Sequence, residues 1–140
     1  MSIEQRNTEF LKALTADFWN THNIDAFDKY FDADFVMHDA DGDKSRDEFQ
    51  QLCQAYFSAF PDIQIVAEGW VAEGDKVTKI WTAHSTHLGD FMGIPASGNR
   101  MEVKGIEVYR VANGKVAEIW ASMDVLGMMQ QMGAIPMAAA

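Results

Sequence analysis

An aspartate at a strand end, two strand histidines and a glutamate set between isoleucine and valine are the side chains of this sequence best suited to proton transfer. Asp124 closes the run Lys115-Val116-Ala117-Glu118-Ile119-Trp120-Ala121-Ser122-Met123. Strand alternation puts Val116, Glu118, Trp120, Ser122 and Asp124 on one face and Ala117, Ile119, Ala121 and Met123 on the other. With the first face lining a cavity, Asp124 sits in its wall beside Trp120 and Ser122. Desolvation there raises a carboxyl pKa and makes it a stronger base for a proton next to a carbonyl. A second role is equally open: Asp124 directly precedes the periodic segment Val125 to Met132, where its carboxylate can N-cap a short helix, which lowers the pKa instead.

The histidines offer electrophiles. His87, next to a glycine-rich loop, can polarise a substrate carbonyl or hold a water, or serve as a hydrogen-bonded structural residue; His38 has the same two readings. His84 and His87 are an odd number apart, so a regular strand sends them to opposite faces. Glu107, between Ile106 and Val108, is costly if buried unpaired. It is expected either to pair with Arg110, Lys104 or a pocket histidine, or to face solvent. Among the aromatic residues, Trp19, Tyr56, Trp81 and Trp120 are candidates to line an apolar ligand site, with Phe91 as its lid. No metal site is expected: the histidines lack tight ligand spacing, and His38-Asp39 with Asp41 and Asp43 lacks the complete calcium-loop pattern. Gly89, Gly93 and Gly98 do not match a dinucleotide fingerprint, so no cofactor is expected.

The elements that must position these groups follow from periodicity. Phe10, Leu11, Leu14 and Phe18 share one stripe and predict a helix over about residues 4–20. A shorter helix begins near Asp25, a brief strand covers Phe35 to His38, and Asp39 to Lys44 reads as a loop. Ser45 and Glu48 form a capping box ahead of Phe49, Leu52, Cys53, Tyr56, Phe57 and Phe60, and Pro61 stops that helix. Extended segments then run over Ile63–Ala72, Lys76–Leu88, Asn99–Val111 and Lys115–Met123. Asn113-Gly114 predicts a type I′ turn between the last two, because both residues tolerate positive φ. Helices followed by long antiparallel strands indicate an α+β fold, the helices packed in a strongly curved, mainly antiparallel sheet that forms a cone with a pocket at its open end.

The 140 residues suit one domain over residues 1–140, with 134–140 as a flexible tail. A formal net charge of −10 leaves no basic patch for a phosphate backbone, so nucleic acid is not an expected partner. Cys53 is the only cysteine, which excludes an intrachain disulfide and suits a reducing compartment. Met1 to Arg6 lacks the features of a signal peptide and no stretch is long and apolar enough to span a bilayer, so a cytoplasmic location without membrane attachment is expected.

Gly89-Asp90-Phe91-Met92-Gly93-Ile94-Pro95-Ala96-Ser97-Gly98, then Tyr109-Arg110, Asn113-Gly114-Lys115-Val116, Glu118-Ile119-Trp120, Asp124, Leu126-Gly127 and Gln130-Gln131-Met132-Gly133, resemble the SnoaL-like polyketide cyclase (ester cyclase) family. The loop carries Ala96-Ser97 where the family commonly has Pro-Thr. The resemblance implies a nuclear-transport-factor-2-like cone, a homodimer formed through the sheet and an apolar pocket for a small hydrophobic molecule. It also implies intramolecular aldol ring closure, or a related lyase or isomerase reaction, without metal or organic cofactor, and Asp124 as the acid/base. Two other functions are compatible with it: a non-catalytic small-ligand binder and, ranked lower, a small epoxide hydrolase, for which Asp124 and Arg110 match only loosely.

Overall fold

The computed structural model describes residues 1–136. Of the expected tail, residues 137–140 lie outside the described residues, and Ala134 to Pro136 are exposed. The first helix, α1 (Ile3–Leu14), is opened by a capping box that pairs Ser2 with Gln5 and runs on through a π-helical turn, Thr15–Trp19. A 3-10 turn, Ile24–Ala26, leads into α2 (Phe27–Tyr30), and α3 (Arg46–Ala59) starts at the expected box. Ser45 Oγ accepts the Glu48 N–H at 3.2 Å while the Glu48 carboxylate accepts the Ser45 N–H at 3.1 Å.

Six strands follow or flank these helices: β1 (Phe31–Asp39), β2 (Gly42–Ser45), β3 (Gln64–Glu73), β4 (Lys76–Thr86), β5 (Arg100–Ala112) and β6 (Lys115–Met123). They form one curved, unclosed sheet in the order β2-β1-β6-β5-β4-β3, antiparallel throughout except where β1 runs parallel to β6. The expected α+β arrangement is therefore present. Two boundaries differ from expectation. β1 begins at Phe31, not Phe35, and the stretch read as a loop folds back as β2, held by backbone pairing to β1 and by the Lys44–Asp39 ion pair at 2.6 Å. At the last turn Asn113 and Gly114 have φ of 53° and 75°, as a type I′ turn requires.

Two apolar clusters fill the concave side. One joins Leu11, Phe18, Phe27, Phe31, Phe35 and Phe49 to Val77, Tyr109, Val111, Val116 and Ile119 of the sheet. The other gathers Phe60, Trp81, Phe91, Met101, Met128 and Met132 beneath the glycine-rich loop and α4 (Val125–Gln131). Trp81 reaches its place only because β5 has no side chain opposite it: a Cβ on Gly105 would lie 2.3 Å from the indole. Gly105→Ala is expected to lower stability by about 1–3 kcal/mol by displacing the ring, read as a drop in thermal midpoint.

Candidate acid/base site inside the cone

The inward face of β6 is Ala117, Ile119, Ala121 and Met123. The alternation read from the sequence holds from Glu118 to Met123, but the face chosen as the cavity wall, with Glu118, Trp120 and Ser122, lies on the convex side. At the start of the strand a register shift leaves Val116 and Ala117 both buried, so Val116 joins the core. Glu118 and Ser122 keep the convex face hydrated, whereas the opposite face is wholly apolar. Trp120 is 37% exposed and stacks on His38 with ring centroids 5.5 Å apart. Ser122 lies opposite Ile106 on the same outer surface. His38 is bonded through Nδ1 to Asp43 at 2.7 Å and through Nε2 to Glu118 at 2.6 Å, and Glu118 also accepts Arg110 Nε–H at 3.0 Å. The Glu118 and Asp43 carboxylates raise the His38 pKa, and His38 leads in holding that of Glu118 down. His38, Trp120, Ser122 and Arg110 thus form an outer cluster away from the cone interior.

Asp124 is exposed, and its observed contact is the capping one: Oδ1 accepts the Gly127 N–H at 2.9 Å. The carboxylate folds so closely over the first turn of α4 that a Cβ on Gly127 would meet Oδ2 at 2.2 Å. His84 and His87 do separate to opposite faces. His84 is exposed on the convex side, while His87 is fully buried, its ring centroid 5.4 Å from that of Phe60. Its Nδ1 accepts the Ser97 N–H at 3.2 Å and lies 2.9 Å from Ser97 Oγ, so it pins the glycine-rich loop. That contact places the proton of a neutral ring on Nε2, which has no partner.

Glu107 is the sequence candidate that the fold carries inside. Neither Arg110, Lys104 nor a histidine meets it. Its position on β5 faces Lys79 of β4 on one side and Ala121 of β6 on the other. Protein surrounds the carboxyl closely, while the residue as a whole keeps intermediate accessibility. Burial raises its pKa above the usual carboxylate value; Lys79, Tyr109 and Trp81 pull the other way without cancelling that effect. The Trp81 indole N–H lies close enough to the carboxylate to favour its charged form, without closing a hydrogen bond of full geometry.

Lys79 escaped the sequence reading. It is 1% exposed, its Nζ donates to Thr15 Oγ1 at 2.8 Å, and it lies 5.8 Å from the centre of the Trp70 ring. Burial depresses its pKa to about 8 against the opposing pull of Glu107. The signal was available: Val77, Lys79, Trp81 and Ala83 share one strand face, which makes the lysine the polar exception.

The remaining walls are aromatic. Tyr56 of α3 stacks on Phe91 at 4.9 Å, meets Trp19 edge-on at 6.3 Å and approaches Met123 Sδ at 3.9 Å. Phe91, the expected lid, is 1% exposed and bridges to Ile94 across the loop turn. Cys53 is buried among these groups, and burial with the nearby Glu107 pushes its thiol pKa up, away from nucleophile chemistry. Two surface grooves lie outside the cone, one beside the start of α3 near Asp34 and Arg46, the other on the convex sheet near Ile80 and Ile106. Both are open to solvent and neither encloses the Glu107 carboxylate. An enclosed carboxyl of raised pKa, ringed by aromatic groups and faced by an amine, is suited to moving a proton on an apolar carbonyl compound.

The SnoaL-like polyketide cyclase family model matches residues 10–132. No curated protein sequence matches the chain. Among solved structures, AclR from Streptomyces galilaeus, described as a candidate hydroxylase, is 26% identical with a TM-score of 0.89, over 97% of this chain and 86% of that one. A candidate polyketide cyclase from Acidithiobacillus ferrooxidans is 30% identical with a TM-score of 0.81, over 96% of this chain and 99% of its own. A candidate SnoaL-like polyketide cyclase from Jannaschia, 24% identical with a TM-score of 0.87 over 97% of both chains, shares the fold. The chain belongs to the SnoaL-like polyketide cyclase family.

Proposed function

We propose that this family member is a cofactor-independent cyclase that closes a ring by intramolecular aldol chemistry, or runs a related lyase or isomerase step, on an apolar carbonyl substrate. The observation that carries the reading is the Glu107 carboxyl, enclosed among aromatic groups with its pKa raised. Glu107 takes the proton from the carbon next to a carbonyl and returns it to the new alkoxide. Tyr56, Trp19, Trp81 and Phe91 fold the substrate so that the reacting carbons meet, which lowers the entropic part of the barrier. Entry is proposed at the rim between Phe91, Ile94 and α4, where Met128, Met129 and Met132 supply adaptable packing. The test is turnover of an aromatic polyketide ester by the wild type and Glu107→Gln; a wild type inert on polyketide esters, or a fully active Glu107→Gln, would refute it.

Asp124 is assigned to capping in this proposal. Asp124→Ala is expected to cost about 1 kcal/mol of stability while turnover stays within about threefold of wild type. A loss of turnover without loss of fold would return the catalytic role to Asp124. The capped Asp124 also favours the rival reading, a non-catalytic small-ligand binder, which predicts ligand binding without turnover by any variant. An epoxide hydrolase fits less well, because Arg110 is engaged by Glu118 outside the cone.

The domain is taken to span residues 1–140 and to work in the cytosol, where Cys53 stays reduced. A homodimer through the convex sheet is part of the proposal. Ile80 and Ile106 face each other across β4 and β5 at 39% and 49% exposure, with Val66, Val71 and Trp120 also exposed. Lys104 and Glu68 border the patch, so a copy related by a two-fold axis meets both apolar and opposite-charge partners. Ile106→Lys is expected to shift the protein from dimer to monomer in sedimentation velocity, and a wild type already monomeric would remove this part of the proposal.

A further inference from the structure

The proposed proton transfer leaves Lys79 unused, although its ammonium is the most deeply buried cation of the described residues. It stands directly opposite Glu107 on the concave face, yet the two make no ion pair. A purely structural buried pair closes to contact, because attraction must offset lost hydration. Here the ammonium is engaged by the π-helical turn after α1: Thr15 Oγ1 accepts one Lys79 N–H at 2.8 Å and donates its own O–H to the Leu11 carbonyl at 3.0 Å. An ammonium has three donors, so two remain. Two residues along the same strand face, Trp81 is 8% exposed and its Nε1–H is also unspent.

The geometry points to an oxyanion site formed by the Lys79 ammonium and the Trp81 indole N–H beside Glu107, whose ligand is a β-dicarbonyl or hydroxyaromatic compound bound as its enolate or phenolate. The inference rests on the reading of Glu107 as base only for the source of the enolate. In that step the C–H bond between two carbonyls breaks, the proton goes to Glu107, and the electron pair moves to the carbonyl oxygen that receives the two N–H groups. A carboxylate is a weak base even when burial raises its pKa, so the carbon acid must be flanked by two carbonyls, and the developing charge needs fixed donors. The low pKa of Lys79, about 8, agrees with an ammonium that lacks its anion.

The probe is 4-nitrophenol, whose absorbance reports its ionisation, titrated into the full chain. Wild type is expected to bind the phenolate in preference to the phenol, and Lys79→Met to lose that preference by about tenfold or more, the scale of one charge-assisted hydrogen bond. Glu107→Gln is expected to bind phenolate more tightly, since a neighbouring negative charge is gone. A structural lysine would not produce that pair of opposite changes. Equal phenolate affinity in wild type and Lys79→Met, or binding of the neutral phenol alone, would overturn the site. Should Lys79→Met fail to fold, wild type and Glu107→Gln decide: phenolate affinity must fall as pH rises through about 8. Burial pushes Cys53, Tyr56 and Tyr109 up; Glu107, which faces Lys79, gains charge as pH rises, so the fall must also appear in Glu107→Gln to be assigned to Lys79. Affinity that stays level through that range in either protein also overturns it. Selective phenolate binding together with a fully active Glu107→Gln would remove the base and keep the oxyanion site.

Discussion

Glu107→Gln is expected to lower ring-closing turnover by ~10²–10⁴-fold with the fold intact, the range typical of removing a positioned general base. Glutamine keeps the shape of the side chain and removes its capacity to take a proton. The pH profile adds a second signature. Burial lifts the Glu107 pKa above the ordinary 4.5, so the wild-type rate should rise with pH through a midpoint higher than that of a free carboxylate. The variant should lack this rising limb. Turnover of the variant within about threefold of wild type would sink the assignment, and circular dichroism of both proteins would separate lost chemistry from lost structure.

The second large effect is on stability. Lys79 carries a pKa of about 8 in the folded chain against 10.5 in the open chain. A depressed folded value means that the fold is penalised while the lysine is charged and that the penalty fades as pH rises from 8 towards 10.5. By linkage the full penalty at neutral pH is about 3 kcal/mol. Comparing Glu107→Gln with the double variant Lys79→Met, Glu107→Gln isolates this one charge. With the Glu107 attraction gone from both, the double variant is expected to be more stable by about 3 kcal/mol or more while the lysine is charged, and its advantage should shrink as pH rises towards 10.5 in denaturant titrations. A gap that does not change with pH would mean that Lys79 is not a buried charge.

How much of this was readable beforehand depended on what fixed each feature. Helix α3 and the strands β3 to β6 follow from local signals: the Ser45–Glu48 box, Pro61, alternation, and the Asn113-Gly114 turn. β2 has no apolar alternation in Gly42-Asp43-Lys44-Ser45; it is a strand because β1 lies beside it, which no local pattern announces. The Asn113-Gly114 turn by itself sets Glu107 against Trp120; a one-residue register shift between Arg110 and Val111 moves it to Ala121, and no local pattern announces that shift. The pairing of Lys79 with Glu107 was out of reach as well, because thirteen residues separate β4 from β5 and a loop of that length fixes no register. A carboxylate at the end of β6 points to a cavity wall on the Trp120 side, whereas the run Ile119, Ala121 and Met123 marks the apolar, inward face.

The single parallel pairing, β1 with β6, has a consequence for how the chain reaches its native state. Phe31 is matched to Val116 and His38 to Trp120, partners more than eighty positions apart. During synthesis β1 and its hairpin emerge first and must wait for nearly the whole remaining chain before their inner edge is covered. The other long pairings lie later in the sequence, among β3 to β6, and can form without it. The N-terminal third is therefore the last part to be locked in place, and its unpaired, phenylalanine-rich edge is the segment most exposed to wrong partners while the ribosome is still at work.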